Sequence, residues 1–337
     1  MDVHFVCLAK SYKYGGRCVA GVQMLWDDAK NNWKIVRDAD GVPVWVRPIC
    51  RQTENGEIPT QVADGIDILE VLKLENAVPV NEEKQPENFY YDKIAPAGKS
   101  YKPVPKLLEM FIDKSRPELF FNRGKAVTPE VLAESGGYSL VMVYSQYADV
   151  YSNTYADDEA SRERYRIRFA YNNNVYDLPI TDPEYLAALN DGTKTIGNKR
   201  DVYITCSLGI EHEGWYYKLA ACIFETGEPV EIFPQSNVGD DRWFRSYESE
   251  LAELLAEKKD IEQRIEALRF EIKNKMEENR NGKIQTENFT ISFTPSKTVM
   301  QFDSKTFKAE NAELYIKYSK PIQRPSSIVI KQLNVEN

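Results

Sequence analysis

The stretch Tyr203–Glu225, YITCSLGIEHEGWYYKLAACIFE, constrains the fold most. Apolar residues fill both of its arms, and His212, Glu213 and Gly214 break them with a short polar loop. Such a pattern reads as two buried strands joined by a tight turn, because the apolar runs are too short for a spanning helix and the break carries turn residues. The chain opens the same way, with Val3–Ala9, a polar turn Lys10–Arg17 and then Cys18–Leu25. Gly15 and Gly16 in that turn permit positive φ. Two strand–turn–strand blocks before any long helix predict a β-rich N-terminal part.

Between these blocks the sequence predicts further short strands. Trp33–Asp38 is one, and Val42–Arg51 is another, with Trp45 and Arg47 on one face by period two. Pro48 cannot donate to a ladder, so that strand ends or lies at an edge there. Asp67–Leu74 reads as a strand, and the five prolines of Glu75–Pro105 predict irregular or edge structure. Lys106–Ser115 and Pro129–Glu134 have the spacing or capping of short helices. Tyr138–Tyr151 alternates as a strand, Val175–Ile180 pairs with the strand before it, and Thr181 or Asp182 caps a helix that Gly192 ends. Gly227–Asp241 has linker composition.

Ser246–Arg280 is a long helix. Leu254, Ile261, Ile265, Leu268 and Ile272 form a heptad seam in which Lys258 fills one position. Acidic residues outnumber basic ones on it ten to seven between Glu248 and Arg280, which is not the balance of a basic zipper on DNA. Its face suits a homodimer through 246–281 or packing onto its own chain. Phe289–Thr294 and Ser327–Lys331 read as strands around a short helix in Ser304–Tyr318. The fold class is therefore mainly β over the N-terminal two-thirds, as two small-barrel blocks, plus a long heptad helix and a small α+β tail. The expected domains are 1–135, 136–235, the helix 246–281 and a basic tail 282–337.

Charge and rare residues narrow the function. A net charge of −9 argues against a chain that coats nucleic acid along its whole surface, though a local basic groove survives screening. The five cysteines stand mostly in apolar runs and no CxxC occurs, so reduced buried thiols are expected. No signal-peptide pattern and no apolar run of membrane length stand in the sequence, which points to the cytoplasm and to no membrane. The two histidines, His4 and His212, are too few for a zinc site at short range. No P-loop or G-x-G-x-x-G follows a strand. Glu82-Glu83-Lys84 after Asp64 or Asp67 has the letters of a metal-dependent nuclease, but its polar, proline-flanked setting reads as a solvated loop. Cys206 with His212 is a dyad only if the hairpin brings them together; a core thiol and a turn histidine are the simpler reading. No catalytic residue, metal or cofactor is expected.

Binding residues are easier to name. Arg162, Arg164, Arg166 and Arg168 alternate with Tyr165, Ile167, Phe169 and Tyr171, so a strand places four guanidinium groups on one face. Tyr171 and Tyr176 lie close enough in sequence to serve as stacking platforms if they face outward. The alternative is a solvated face paired with Asp157, Asp158 and Glu159. Lys10, Lys13, Tyr14 and Arg17 cluster at the first turn, with Trp45, Arg47 and Arg51 one strand away. They form either a contact patch for phosphates and bases or charged decoration of an edge.

The pieces CLAKSYKYGGRCVAG, WVRPI, the Glu87–Asn88 pair, RYRIRF, LPITDPEY and ITCSLG with WYYKLAACI, in this order, resemble the dual OB-domain family over residues 1–235. That resemblance implies two tandem OB-like barrels, often met near phage-conflict systems, and nucleic-acid or nucleotide binding, for which single-stranded DNA or RNA is the expected polymer. The last 90 or so residues, with Phe302-Asp303, Phe307-Lys308, Glu313-Leu314-Tyr315 and Tyr318, resemble the C-terminal segment of phage recombinase exonucleases and related small phage proteins. This implies a phage or prophage recombination or replication partner; a host defence protein is a further expected partner. A protein-binding adaptor or inhibitor and a metal-dependent nuclease are the rival functions.

Overall fold

The computed structural model describes residues 1–80, 84–134, 137–153, 164–228, 242–286, 289–295 and 302–319. These fall into two compact units, one before residue 229 and one after 241.

The first unit holds two curled sheets. One is built from β1 (Val3–Lys13), β2 (Gly16–Asp27), β3 (Asn32–Ile35), β4 (Trp45–Ile49), β5 (Glu70–Glu75), β6 (Val78–Pro79), β7 (Asn88–Tyr90) and β8 (Lys93–Ser100). Its order is β6-β7-β4-β2-β1-β5-β8, with β3 added to β2. The other is built from β9 (Ala126–Val127), β10 (Leu140–Asn153), β11 (Arg164–Tyr171), β12 (Asn174–Pro179), β13 (Gly197–His212) and β14 (Trp215–Glu225), in the order β12-β11-β10-β13-β14-β9. A bridge between Ile180 and Ala220 brings the end of β12 back to β14 and curls this sheet. Both opening expectations hold as hairpins. Tyr14 and Gly15 carry positive φ (42° and 83°) between β1 and β2, and Glu213 and Gly214 (51° and 80°) do so between β13 and β14. These are the angles a two-residue turn of right twist needs. A Cβ on Gly16 would stand 2.6 Å from the Ile58 carbonyl, so only glycine lets Ile58 pair with Arg17 there.

The two sheets are not beads on a string. Along β1 the side chains alternate between two cores. Val3, Phe5 and Cys7 enter a core belonging to the first sheet, while Val6 and Leu8 enter another. That second core also contains Leu140 and Met142 of β10, Tyr203 of β13 and Ala221, Cys222 and Phe224 of β14. β10 alternates in the same manner, sending Val141 and Val143 into the second sheet's own core. The middle core is thus shared, and the buried Thr205 hydroxyl donates to the Leu8 carbonyl across it (2.8 Å).

Short helices close the ends: α1 (Thr60–Ala63), α2 (Pro105–Leu108), α3 (Pro129–Glu134) and α4 (Pro183–Asn190). The helix expected over Lys106–Ser115 is shorter, passing after α2 into a 3-10 turn at Glu109–Phe111. Asp182 caps α4, accepting from Glu184 N and Tyr185 N (both 3.1 Å), and its other oxygen accepts from Ile223 N (3.2 Å). The capping residue therefore also pins the helix to β14.

The second unit contains α5 (Arg245–Glu278), a small hairpin of β15 (Lys283–Gln285) and β16 (Thr290–Ser292), then α6 (Ser304–Glu310) and α7 (Ala312–Tyr318). The single helix expected over Ser304–Tyr318 breaks at Asn311, whose φ of −132° is not helical. The expected strand Ser327–Lys331 lies outside the described residues. Leu254, Ile261, Ile265, Leu268 and Ile272 of the α5 seam are all exposed. The architecture is the expected one: a mainly β N-terminal part of two curled sheets, a long helix and a small α+β tail.

Candidate functional site

A cleft opens where the first hairpin meets β13 and β14. A cavity of about 240 Å³ is lined by residues of both sheets, among them Ser11, Lys13, Arg47, Gln85, Ser207 and Leu219. A second cavity of about 570 Å³ shares Lys13, Gln85 and Ile210 with it and adds Arg51, Asn88 and Tyr90. The two are neighbouring compartments of one groove.

Arg47 is its deepest charge, only 2% exposed. β4 pairs in parallel with β7, placing Arg47 opposite Asn88, and the Arg47 amide donates to the Glu87 carbonyl (2.7 Å). Arg47 Nη1 donates to Ser139 Oγ (2.9 Å) and Asn88 Oδ1 (3.4 Å), and Nη2 donates to the Ser139 carbonyl (3.3 Å). Ser139 in turn donates from its amide to Glu87 Oε1 (2.7 Å) and from its hydroxyl to Oε2 (3.0 Å). A serine at the start of the second sheet therefore stands between a buried guanidinium and a buried carboxylate of the first. The WVRPI and Glu87–Asn88 pieces, far apart in sequence, are two halves of this one network. Arg47 Nε is left buried without a partner. Such an atom costs about 1–3 kcal/mol if nothing ever reaches it.

Cations lie on aromatic rings around the cleft. The Arg17 guanidinium lies 4.6 Å from the Tyr12 ring centre, Arg51 lies 4.5 Å from Tyr90, and the Lys84 amine lies 5.7 Å from Tyr216. Tyr12 and Tyr14 line the smaller cavity and are 52% and 61% exposed, Tyr12 at the end of β1 and Tyr14 in the turn itself.

The first-block residues separate into groups. Lys13, Tyr14 and Arg47 meet in the cleft, and Arg17 stands at its side on Tyr12. Lys10 is engaged elsewhere: its amine pairs with Glu184 (2.7 Å) and donates to the Ile66 carbonyl (2.8 Å), tying the first sheet to α4. Trp45 is buried in the shared core and offers no accessible ring.

The arginine row has a different setting. Arg162 lies outside the described residues, and Arg164 takes its place in β11 opposite Asn153. Arg166 Nε pairs with Asp177 Oδ1 (2.7 Å), Arg166 Nη2 donates to the Asp177 carbonyl (2.7 Å), and Arg168 reaches Asp177 Oδ2 (3.5 Å). The Tyr151 hydroxyl donates to that same oxygen (2.5 Å). Neither Arg166 nor Arg168 lines the cleft. Tyr176 is buried, its hydroxyl donating to the Asn122 carbonyl (3.3 Å) and accepting from Leu119 N (2.9 Å), so it is no stacking platform. Tyr171 is buried too, its hydroxyl donating to the Arg116 carbonyl (2.6 Å).

Sequence reasoning missed Gln85, Ser11, Ser207 and Cys18 in the cleft. It also missed Lys218, whose amine donates to the carbonyls of Leu119 (2.5 Å) and Asn122 (2.7 Å) and to Asn122 Oδ1 (2.9 Å). Burial pulls this lysine down to about 8. Cys206 is buried, whereas His212 is exposed at the turn. Six residues along one strand put them about 20 Å apart, so they form no dyad. Glu82 and Glu83 lie outside the described residues, and Lys84 pairs with Glu211 (3.7 Å). Among the described residues no group of three His, Cys, Asp or Glu could hold a metal ion. All five cysteines are free, and burial pushes Cys7 up to about 12. No helix among the described residues is long and apolar enough to cross a membrane.

Two curled sheets sharing a core, with a cleft along their seam, define a tandem β protein of OB type. Residues 3–223 match the model of the family described as Dual OB-containing domain, and the chain belongs to that family. No curated protein matches it. Among solved structures it is similar to a murine DNA binding protein bound with double-stranded DNA, at 7% identity and a TM-score of 0.26, over 67% of this chain and 98% of that one. It is similar to a single-stranded DNA binding protein from Thermus aquaticus at 11% identity and 0.18, over 70% and 97%. A third structure, described as the molecular basis for abrogation of activation of pro-inflammatory cytokines, shares 5% identity at 0.24, over 67% and 93%. Overlaps this loose carry nothing about what the cleft takes.

Proposed function

We propose that the chain is a non-enzymatic binder of single-stranded nucleic acid or of a nucleotide, acting in the cytoplasm. The observation that carries this is the cleft itself. Lys13, Arg47 and Arg51 supply cationic donors along a groove whose walls hold the Tyr12, Tyr14 and Tyr90 rings. Single strands are held by this pairing of a backbone-tracking positive groove with rings on which bases stack. The acidic total of the chain matters little at this range, since charges beyond about 10 Å are screened.

Fluorescence anisotropy with labelled single-stranded DNA, single-stranded RNA and duplex DNA, across a salt series without Mg²⁺, tests the reading. The expected result is tighter binding of a single strand, with log K falling by roughly 2 per decade of salt if about three phosphates are met. Absence of binding to all three at low salt overturns it.

The exposed α5 seam favours a second role beside the first, association with a copy of the chain or with a protein partner. The resemblance of the last 90 or so residues supports a phage recombination or replication setting for that partner. A dimer in equilibrium sedimentation, lost in Ile265→Glu, is the expected behaviour; a monomer at all concentrations removes the homodimer.

A further inference from the structure

The smaller cavity holds a donor group with no protein partner. A guanidinium is planar and presents five N–H bonds on fixed edges. Arg47 spends one edge on Ser139, Nη1 reaching its hydroxyl and Nη2 its carbonyl, and gives the remaining Nη1 hydrogen to Asn88. What remains is the side edge, Nε–H with the second Nη2–H. The two bonds lie parallel, the spacing that matches two oxygens of one phosphate or carboxylate. Nε is buried and unpartnered, and Arg47 lines the cavity. Ser11, Lys13 and Ser207 line the same space, and none of its described lining residues is acidic. A donor-rich, acid-free cavity lined by an arginine with an unspent edge suits an oxyanion.

Shape narrows the oxyanion. Arg47 lines a space of about 240 Å³, small for a strand to run through, which Leu208, Ile210 and Leu219 and the Ser11–Tyr14 strand end also line. A phosphodiester carries a sugar on both sides and must send two arms back out. A phosphate monoester needs one. The adjoining cavity, with Arg51 on Tyr90, gives the single attached nucleoside its room. We propose that the cavity between the two sheets is a receptor for one terminal phosphate monoester, carried by a nucleic-acid strand end or by a mononucleotide, with the free edge of Arg47 as its anchor. This deepens the binding function proposed above and rests on it.

The test compares dodecathymidylates that differ only at their ends: 5′-hydroxyl, 5′-phosphate and 3′-phosphate, with thymidine 5′-monophosphate as competitor. A phosphorylated end is expected to bind about tenfold tighter than the hydroxyl form, the gain of one charge-assisted bidentate contact. Equal affinities for all ends, with strands still bound, overturn the receptor and leave the strand-binding function standing. Binding of the mononucleotide without any strand binding supports the receptor and removes the strand as its source. Binding of neither overturns both. Location is read separately at Cys18, the least buried of the five thiols, which lines this cavity. Its maleimide labelling should slow severalfold with the phosphorylated strand or the mononucleotide, whichever binds, and unchanged labelling places that ligand elsewhere and overturns the site. Arg47→Lys keeps the charge and loses the fork, so it should erase the preference for a phosphate; retained preference overturns the anchor. If that variant fails to fold, the end series and the Cys18 labelling decide alone.

Discussion

The two arginine clusters of this protein look alike in sequence composition and differ in what surrounds them. In the row on β11, Arg166 and Arg168 converge on one carboxylate, Asp177, supplied by the paired strand β12. In the cleft, Arg47 leans on Ser139 and Asn88, both neutral, while the carboxylate of Glu87 is held one residue away behind the serine. Arg166 and Arg168 spend charge on tying β11 to β12. The cleft keeps part of one guanidinium unspent.

Three variants, one single and two double, sharpen or break this contrast. Glu87→Ala should cost most, about 3 kcal/mol in denaturant unfolding, because it strips two acceptors from buried Ser139 and leaves Arg47 uncompensated. A loss well under 1 kcal/mol would show that the serine relay does not carry the junction. Lys13→Ala combined with Arg51→Ala should weaken single-strand binding about tenfold and flatten its salt slope, without a matching loss of stability. Arg166→Ala with Arg168→Ala should do least to affinity, under about threefold, since Asp177 already engages both. If the second pair moved affinity more than the first, the ligand would lie on β11 and not in the cleft.

Much of the fold was legible because period and turn chemistry are local. The hairpins at Tyr14–Gly15 and Glu213–Gly214, the capped start of α4 and the heptad helix each declare themselves within a few residues. The site was legible only in part. Lys13, Tyr14 and Arg47 were visible as a cluster near one turn. The importance of Gln85 and Ser139 was not, since each acts through a partner from a distant segment, Gln85 toward the Gly209 carbonyl and Ser139 toward Arg47 and Glu87. The arginine row misled for the same reason. Period two reveals which side chains share a face, but not that Asp177 faces them from across the ladder. Tyr176 likewise looked like a platform until its ring was seen inside the second sheet's core.

The shared middle core also bears on inheritance. A strand such as β1, which feeds one core through Val3, Phe5 and Cys7 and another through Val6 and Leu8, cannot be exchanged with its sheet alone. Volume gained at Leu8 presses on a core that Leu140, Met142 and Phe224 of the other sheet also fill. Recombination that moved one sheet without the other would leave half of this core without its partner side chains.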